Sequence, residues 1–247
     1  MSNDLNLHQF FRDDTGCASY LISSKITGKG LLIDPLTDTE RYENLLKNQH
    51  LEVVGLIDTH THADHLSGLR SFSSLYPKAV LAMHETSPAI FNFRKLSDGE
   101  RLEDWIGSST GIRVIYTPGH ATDHICLLLK TSEPKLISGD CLFIGDVGRT
   151  DLGRGDNDLM YESLFRKLLS LDPRTEVYPA HIGAKHFLAT DKVSTTIGKE
   201  KETNPALQVK SKEEFVKYMT EGWTPKPANY EQIININLGK ASRMEGA

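Results

Sequence analysis

The sequence predicts an α/β fold built on mixed sheets. Short apolar runs alternate with segments of helical spacing along the chain, the pattern of strands covered by helices. The first two runs, Leu5 to Phe11 and Ala18 to Ile22, flank the turn Asp13-Asp14-Thr15-Gly16. That makes them antiparallel neighbours, so the sheets cannot be purely parallel. Several later runs end just before a histidine or an aspartate, and strand ends along one sheet edge converge in space.

Each element follows from local pattern. Gly30 to Ile33 is a short buried strand stopped at Asp34-Pro35. Thr39 to Lys47 reads as a helix with Tyr42, Leu45 and Leu46 inward. Val53 to Asp58 is a buried strand, and the 3–4 spacing of Leu66, Leu69, Phe72 and Leu75 gives a helix over 66–75. Ala79 to Met83 is a strand, followed by a polar, partly helical stretch to Trp105. Strands follow at Ile112 to Tyr116, Ile125 to Lys130 and Lys135 to Ser138. Leu159 to Leu169 is helical, Glu176 to Tyr178 is a strand, and helices are expected over 189–202 and 212–220. The second of these opens with the capping-box pattern Ser211-Lys212-Glu213-Glu214. Ile233 to Ile236 reads as a strand, either an edge of the chain's own sheet or a strand that pairs between subunits. A homodimer or higher homo-oligomer is thus left open. The ending from Lys240 to Ala247 is polar and expected to lack fixed structure.

Bulk composition narrows the classes. At 247 residues with 38% hydrophobic and 25% charged side chains, the chain can bury a substantial core. Residues 1–247 are expected to form a single domain, because no low-complexity linker or repeat divides them. A formal charge of -5 argues against a general nucleic-acid binder. Cys17, Cys126 and Cys141 are widely spaced, which suggests a reducing compartment without a disulfide framework. The N-terminus lacks a basic and an apolar signal region, and no run is long enough to span a bilayer, so the cytoplasm is expected.

The chemistry concentrates at Thr59-His60-Thr61-His62-Ala63-Asp64-His65, which places four potential ligands just past a buried strand. A solvated polar loop is the plainer reading, but four nitrogen and oxygen donors at this density call for a cation. Alternation sends His60 and His62 to one side, and the turn into the helix lets Asp64 and His65 face a second position. His120, Asp140 and His181 each stand past another apolar strand. The expected ligand set is therefore His60, His62, Asp64, His65, His120, Asp140 and His181. His124 reads as structural, and Cys141 as a small packed residue rather than a catalytic thiol.

The H-x-H-x-D-H motif, with isolated His120, Asp140 and His181 after it in order, resembles the metallo-β-lactamase-fold superfamily. The resemblance implies an αβ/βα four-layer sandwich of two mixed sheets with the site along one edge. Gly148-Arg149-Thr150-Asp151 resembles a stretch of persulfide dioxygenases that glyoxalase II-like proteins carry in variant form. Leu32-Ile33-Asp34-Pro35, Tyr178-Pro179-Ala180-His181, the run Thr196 to Pro205, and the segments 213–219 and 225–229 are similar to the persulfide dioxygenase branch. The likeness runs from about residue 5 to 238. Two segments depart from it: Ala121-Thr122-Asp123-His124 follows the histidine where relatives carry T-P-G, and Ile182-Gly183-Ala184-Lys185 stands where they often have Asp-Tyr.

That branch implies one Fe(II) per chain held by His60, His120 and Asp140, with a thiol persulfide and O2 as substrates and sulfite and thiol as products. Glutathione persulfide is the first candidate. His62, Asp64, His65 and His181 would then orient the ligands. Arg149 would meet substrate carboxylates or pair with Asp151, with Lys185 and Arg154 as weaker candidates for the same contact. The alternative is a thioester hydrolase of the glyoxalase II type, in which the same seven residues hold two Zn2+. A non-catalytic member of the fold would be expected to lose ligands, and none is missing.

Overall fold

Alternation along the strands builds four layers. The computed structural model describes residues 4–12, 14–182, 193–221 and 225–242. Strands β1 (Leu5–Arg12), β2 (Cys17–Ser24), β3 (Lys29–Ile33), β4 (Glu52–Ile57), β5 (Val80–His84) and β6 (Arg94–Leu96) form one sheet in sequential order. The first three pair antiparallel, and β3 to β6 pair parallel. The second sheet contains β7 (Ile112–Tyr116), β8 (Ile125–Leu129), β9 (Lys135–Gly139), β10 (Glu176–Pro179) and β11 (Thr195–Thr196), with β9 and β10 its parallel pair. Both sheets are mixed, as expected.

Tyr20, Ile22, Leu31, Ile33 and Ile57 of the first sheet meet Ile112, Val114, Ile125, Leu127, Ile137 and Tyr178 of the second, forming the central core. The intervening residues face outward. Leu21, Leu32 and Leu56 pack under helices α1 (Glu40–Asn48) and α2 (Leu69–Leu75) through Tyr42, Leu46, Leu69 and Phe72. On the far face, Ile115, Cys126, Leu128, Leu136 and Val177 pack against Met160, Leu164, Phe215 and Met219. Each such fully buried aliphatic side chain contributes roughly 1.5–3 kcal/mol. Tyr20 links the sheets directly: its hydroxyl donates to the Pro179 carbonyl at 2.6 Å.

The helices depart from expectation in three places. Residues 66–68 are not helical; Ser67 bridges to Leu36, and the Gly68 amide donates to the Pro35 carbonyl at 2.6 Å, so the helix does not begin until Leu69. Over 189–202, residues 189–192 lie outside the described ones. Thr195 and Thr196 are a strand on β10, and helix α5 runs only over Ile197–Thr203, capped by the Thr196 hydroxyl. Ile233 to Ile236 is not a strand but part of helix α7 (Tyr230–Asn237). Ile233 and Ile236, three apart, are its buried residues, a helical face hidden within a short apolar run.

Elsewhere the elements fall near their expected places. The short helix α3 (Glu103–Ile106) lies in the stretch leading to Trp105. Helix α4 (Asn157–Tyr161), capped by Asp156, continues as a π-helical turn over Glu162–Lys167 and a 3-10 turn over Leu168–Ser170. The wider winding lets the Ser163 hydroxyl donate to the Pro118 carbonyl at 2.6 Å. Helix α6 (Lys212–Thr220) starts at Ser211, whose hydroxyl accepts the Glu214 amide. The Glu214 carboxylate takes the Lys210 amide rather than completing the box at Ser211. Among the described residues no helix is long and apolar enough to cross a membrane.

Candidate metal centre

The expected ligands stand past the ends of β4, β7, β9 and β10, at one edge of the two sheets. The loop after β4 is stitched to the second sheet where the Ile125 amide donates to the Thr59 carbonyl at 2.8 Å. The start of β2 pairs with the segment after β10, with the Ala18 amide on the Ala180 carbonyl and a bridge between Cys17 and His181. Gly119 precedes His120 at φ 150°, and a Cβ there would lie 2.4 Å from the Met160 Cα, so only glycine fits.

Among the described residues three donor groups result, each with its ligand atoms within 4.8 Å of one another: His60, His120 and Asp140; Cys17, Asp64, His65 and His181; and Asp34, Asp58 and His62. His62 therefore does not share the position of His60, as strand alternation suggested. It turns to Asp34, with Nε2 3.3 Å from Oδ1. Asp34, at φ 49°, also accepts the Thr59 amide and hydroxyl. Asp64 and His65 do face a second position.

The first group is prepared for a cation. His120 Nδ1 is 2.6 Å from the Arg149 carbonyl oxygen, which only accepts, so Nδ1 carries the proton and Nε2 presents a bare lone pair. The Thr59 hydroxyl donates to Asp34 and accepts from His60 Nδ1 at 3.0 Å, which fixes the same tautomer there. His60 Nε2 is buried with no hydrogen-bond partner. The two Nε2 atoms lie 3.7 and 3.6 Å from Asp140 Oδ2, too far for hydrogen bonds. Ligand atoms held at about 2.0–2.2 Å by one ion sit roughly 3–3.6 Å apart. Burial, then the neighbouring histidines, holds the His60 pKa well below the ordinary value, keeping it in the ligating form. These residues fit a divalent transition metal.

Asp140 is held from both ends. Burial would raise its pKa, but the His181 charge and hydrogen bond hold it at about 2. His181 Nδ1 donates to Asp140 Oδ1 at 2.7 Å, and its Nε2 to Asp64 Oδ2 at 2.6 Å. Burial opposes charge on His181, and the two carboxylates outweigh it, raising its pKa well above the ordinary value. The backbone amide of Asp140 donates to His124 Nε2 at 2.9 Å, and His124 Nδ1 donates to the Thr117 hydroxyl at 2.8 Å. His124 is thus a buried structural support. Cys141 is also packed inside, and its thiol pKa is raised by Cys126 and by burial.

A cleft of about 260 Å³ opens beside this group, lined by His120, Asp140, His181, Phe143, Arg149 and Pro227 among others. Arg149 pairs with Asp151 through two contacts of 2.6 and 2.9 Å. Arg154 lies 3.5 Å from the buried Asp123 carboxylate. Lys185 lies outside the described residues. A larger concavity of about 470 Å³, by Arg101, Arg113 and Lys130, sits at the start of β7. Its one carboxylate, Glu103, is engaged by Arg101 and the Ile112 amide, so it has no ligand set.

Sequence patterns did not reveal Cys17, Asp58 or Asn237. Cys17 Sγ lies 3.5 Å from His181 Nε2 and 3.9 Å from His65 Nδ1, reached only through the pairing of β2 with the segment after β10. Burial would raise its pKa, yet the two histidines lower it to about 6. Asn237 on α7 donates to the carbonyls of His62 and His65 and accepts the Ser67 amide. Asp34 was visible only as part of a motif at a strand end.

Comparison with known proteins agrees with this geometry. The model of the metallo-beta-lactamase superfamily matches residues 12–181. The chain is 29% identical over 233 residues to the persulfide dioxygenase ETHE1, mitochondrial, of Bos taurus, covering 94% of this chain and 87% of that protein. It is 33% identical over 162 residues to a hydroxyacylglutathione hydrolase of Francisella tularensis subsp. novicida, covering 66% of this chain and 61% of the relative. The crystal structure of ETHE1 from Myxococcus xanthus superposes with a TM-score of 0.84 at 27% identity, covering 96% of this chain and 100% of that one. With its ligand groups at the shared edge of two mixed sheets and the family pattern matched over most of its length, the chain belongs to the metallo-β-lactamase superfamily.

Proposed function

We propose that the chain is a persulfide dioxygenase that converts a low-molecular-weight thiol persulfide, glutathione persulfide first, to the thiol and sulfite. The balanced reaction is RSSH + O2 + H2O → RSH + SO3²⁻ + 2H⁺. The sulfane sulfur gives up four electrons and O2 takes them. The observation that carries this reading is the convergence of His60, His120 and Asp140 as a group distinct from Asp64, His65 and His181. Two imidazoles and one carboxylate are the ligand set of non-haem iron oxygenases. Similarity to persulfide dioxygenases along 94% of the chain supports it.

Bound Fe(II) would supply the one-electron redox capacity that O2 needs to react with a closed-shell sulfur. The chain's residues do the rest. His60 and His120 offer Nε2 because Thr59 and the Arg149 carbonyl hold their Nδ1 protons. His181 occupies Asp140 Oδ1, leaving Oδ2 toward the histidines. His181 Nε2 holds its proton against Asp64 at the cleft wall. The Arg149–Asp151 pair places a guanidinium at the rim, where a carboxylate of glutathione would dock.

The second reading is a thioester hydrolase with two Zn2+, favoured by the Asp64, His65 and His181 group and by the hydrolase relatives. Metal analysis of protein purified without air, paired with oxygen uptake on glutathione persulfide, separates the two. A single iron per chain with O2 consumption and sulfite release is expected. Two zinc ions, with O2-independent cleavage of a glutathione thioester, would replace the dioxygenase reading. Asp140→Ala is expected to abolish metal retention and turnover together, whereas Cys141→Ser keeps both. A Cys141→Ser protein that holds iron yet is inactive would give that thiol a role its burial denies.

A further inference from the structure

The segment from Thr196 to Pro205, singled out in the sequence, has no part in the chemistry above. It carries two polar side chains, Glu200 and Asn204, that are 1% and 0% exposed. Among the described residues neither pairs with a cation. Glu200 Oε1 accepts from the Thr195 hydroxyl at 2.7 Å, and Oε2 accepts both the Gly145 amide and Asn204 Nδ2 at 2.8 Å. Asn204 Nδ2 also donates to the Asp146 carbonyl at 2.9 Å. A buried carboxylate is costly unless it is hydrogen-bonded; this one accepts from two side chains of its own segment and from one backbone amide of a turn, whose Asp146 carbonyl Asn204 also holds.

That turn is no ordinary surface loop. Leu142 and Val147 bridge across it, and the Phe143 amide donates to the Asp146 carbonyl at 3.0 Å. Phe143, Asp146 and Val147 line the cleft. One end of the turn leads from Asp140, and the other leads to Arg149, whose carbonyl orients His120. Gly145 sits at φ 73°, so its amide points outward to Glu200 from a conformation that other residues rarely adopt.

We propose that Glu200 and Asn204 are positioning residues that set the substrate-facing wall of the cleft by pinning the turn between Leu142 and Val147 from behind. The proposal rests on the cleft being the persulfide site. Removing the clamp frees the wall without touching a metal-ligating side chain, so substrate affinity should fall while the metal stays. Glutamine is expected to substitute for glutamate. Its carboxamide oxygen can accept from Gly145 and Asn204 while its NH2 donates to the Thr195 hydroxyl.

The test compares wild type with Glu200→Ala and Glu200→Gln by iron content, by steady-state O2 uptake on glutathione persulfide and by hydrogen exchange of the peptide containing Gly145. For Glu200→Ala we expect unchanged iron, KM raised on the order of tenfold with kcat altered much less, and faster exchange in the turn. Glu200→Gln should lie within about threefold of wild type in both constants and regain protection. Fast exchange with KM unchanged would show that the turn is not the substrate wall. Unchanged exchange, or a glutamine variant as impaired as alanine, would equally overturn the proposal. If Glu200→Ala does not fold, Glu200→Asp keeps the charge, shortens the reach and must show the same KM rise. A wild type without persulfide turnover would remove the functional reading, and the exchange experiment would then decide the clamp alone.

Discussion

His124 supports the metal centre without touching it. Its Nε2 accepts the amide of Asp140, and its Nδ1 proton goes to Thr117, so both ring nitrogens are used. Burial, with His120 adding to it, lowers its pKa to about 3, so the ring stays neutral and can accept. His124→Leu leaves the Asp140 amide buried without a partner, at a cost of about 1–3 kcal/mol. Metal retention against a chelator should weaken about 10–100-fold, as for other groups that orient ligands. Retention equal to wild type would reduce His124 to packing. At this scale the sequence was most legible where chemistry is local: seven donor residues past strand ends announce themselves by type and place. What stayed hidden was which donors share a position. His62 turns to Asp34 because Thr59 and a positive φ at Asp34 set that corner, and no spacing rule contains a turn's dihedral. Arg149 was left between two roles. Its contacts with Asp151 show the ion pair, and the same pair stands at the cleft.

Among the elements, the segment from Asp140 to Arg149 is the most tightly constrained. A Cβ on Gly148 would lie 1.8 Å from the Asp140 carbonyl oxygen and 3.2 Å from His120 Nδ1. Gly148→Ala must therefore push the backbone aside and carry the Arg149 carbonyl away from His120. We expect a loss of about 1–3 kcal/mol of stability, together with reduced metal content, read by thermal unfolding and metal analysis of the same sample. A variant that keeps its metal would mean that the carbonyl contact is dispensable. Strands were read well because burial on both faces leaves a short unbroken apolar run, as in β8 with all five residues buried. Short helices were read poorly. Four apolar or amide residues, Ile233 to Ile236, fit either period until Ile233 and Ile236 are seen buried together. The start of α2 was misplaced because Gly68 is tied to Pro35, a contact over thirty residues away in sequence.

Across the whole molecule, the sheets are joined at both ends. At the edge away from the cluster, Asp4 before β1 accepts from the Ser108 and Ser109 hydroxyls, the Ser109 and Thr110 amides and the Thr110 hydroxyl, all just ahead of β7. Burial would raise its pKa, but these bonds outweigh it and lower it from 3.8 to about 2. A carboxylate whose folded pKa is depressed stabilises the fold above its unfolded pKa, and that stability is lost as pH falls through the folded one. Asp4→Asn should thus be less stable than wild type by about 2 kcal/mol near neutrality. The gap should close between about pH 4 and pH 2, as followed by urea unfolding. A gap that persists at pH 2 would exclude the ionised carboxylate as its source. The four-layer arrangement was legible from alternation and family pattern together. Long-range ties such as Asp4 to Thr110 were not, because nothing local marks the partner of a lone aspartate.

Asn237 on α7 grips the carbonyls of His62 and His65 from 175 and 172 residues away in sequence. The loop that gathers the metal is thus fastened by a helix that belongs to neither sheet, and its shape depends on that helix staying docked. Asn237→Ala is expected to lose iron to a chelator faster than wild type. Equal loss would mean that the helix is a cover rather than a latch.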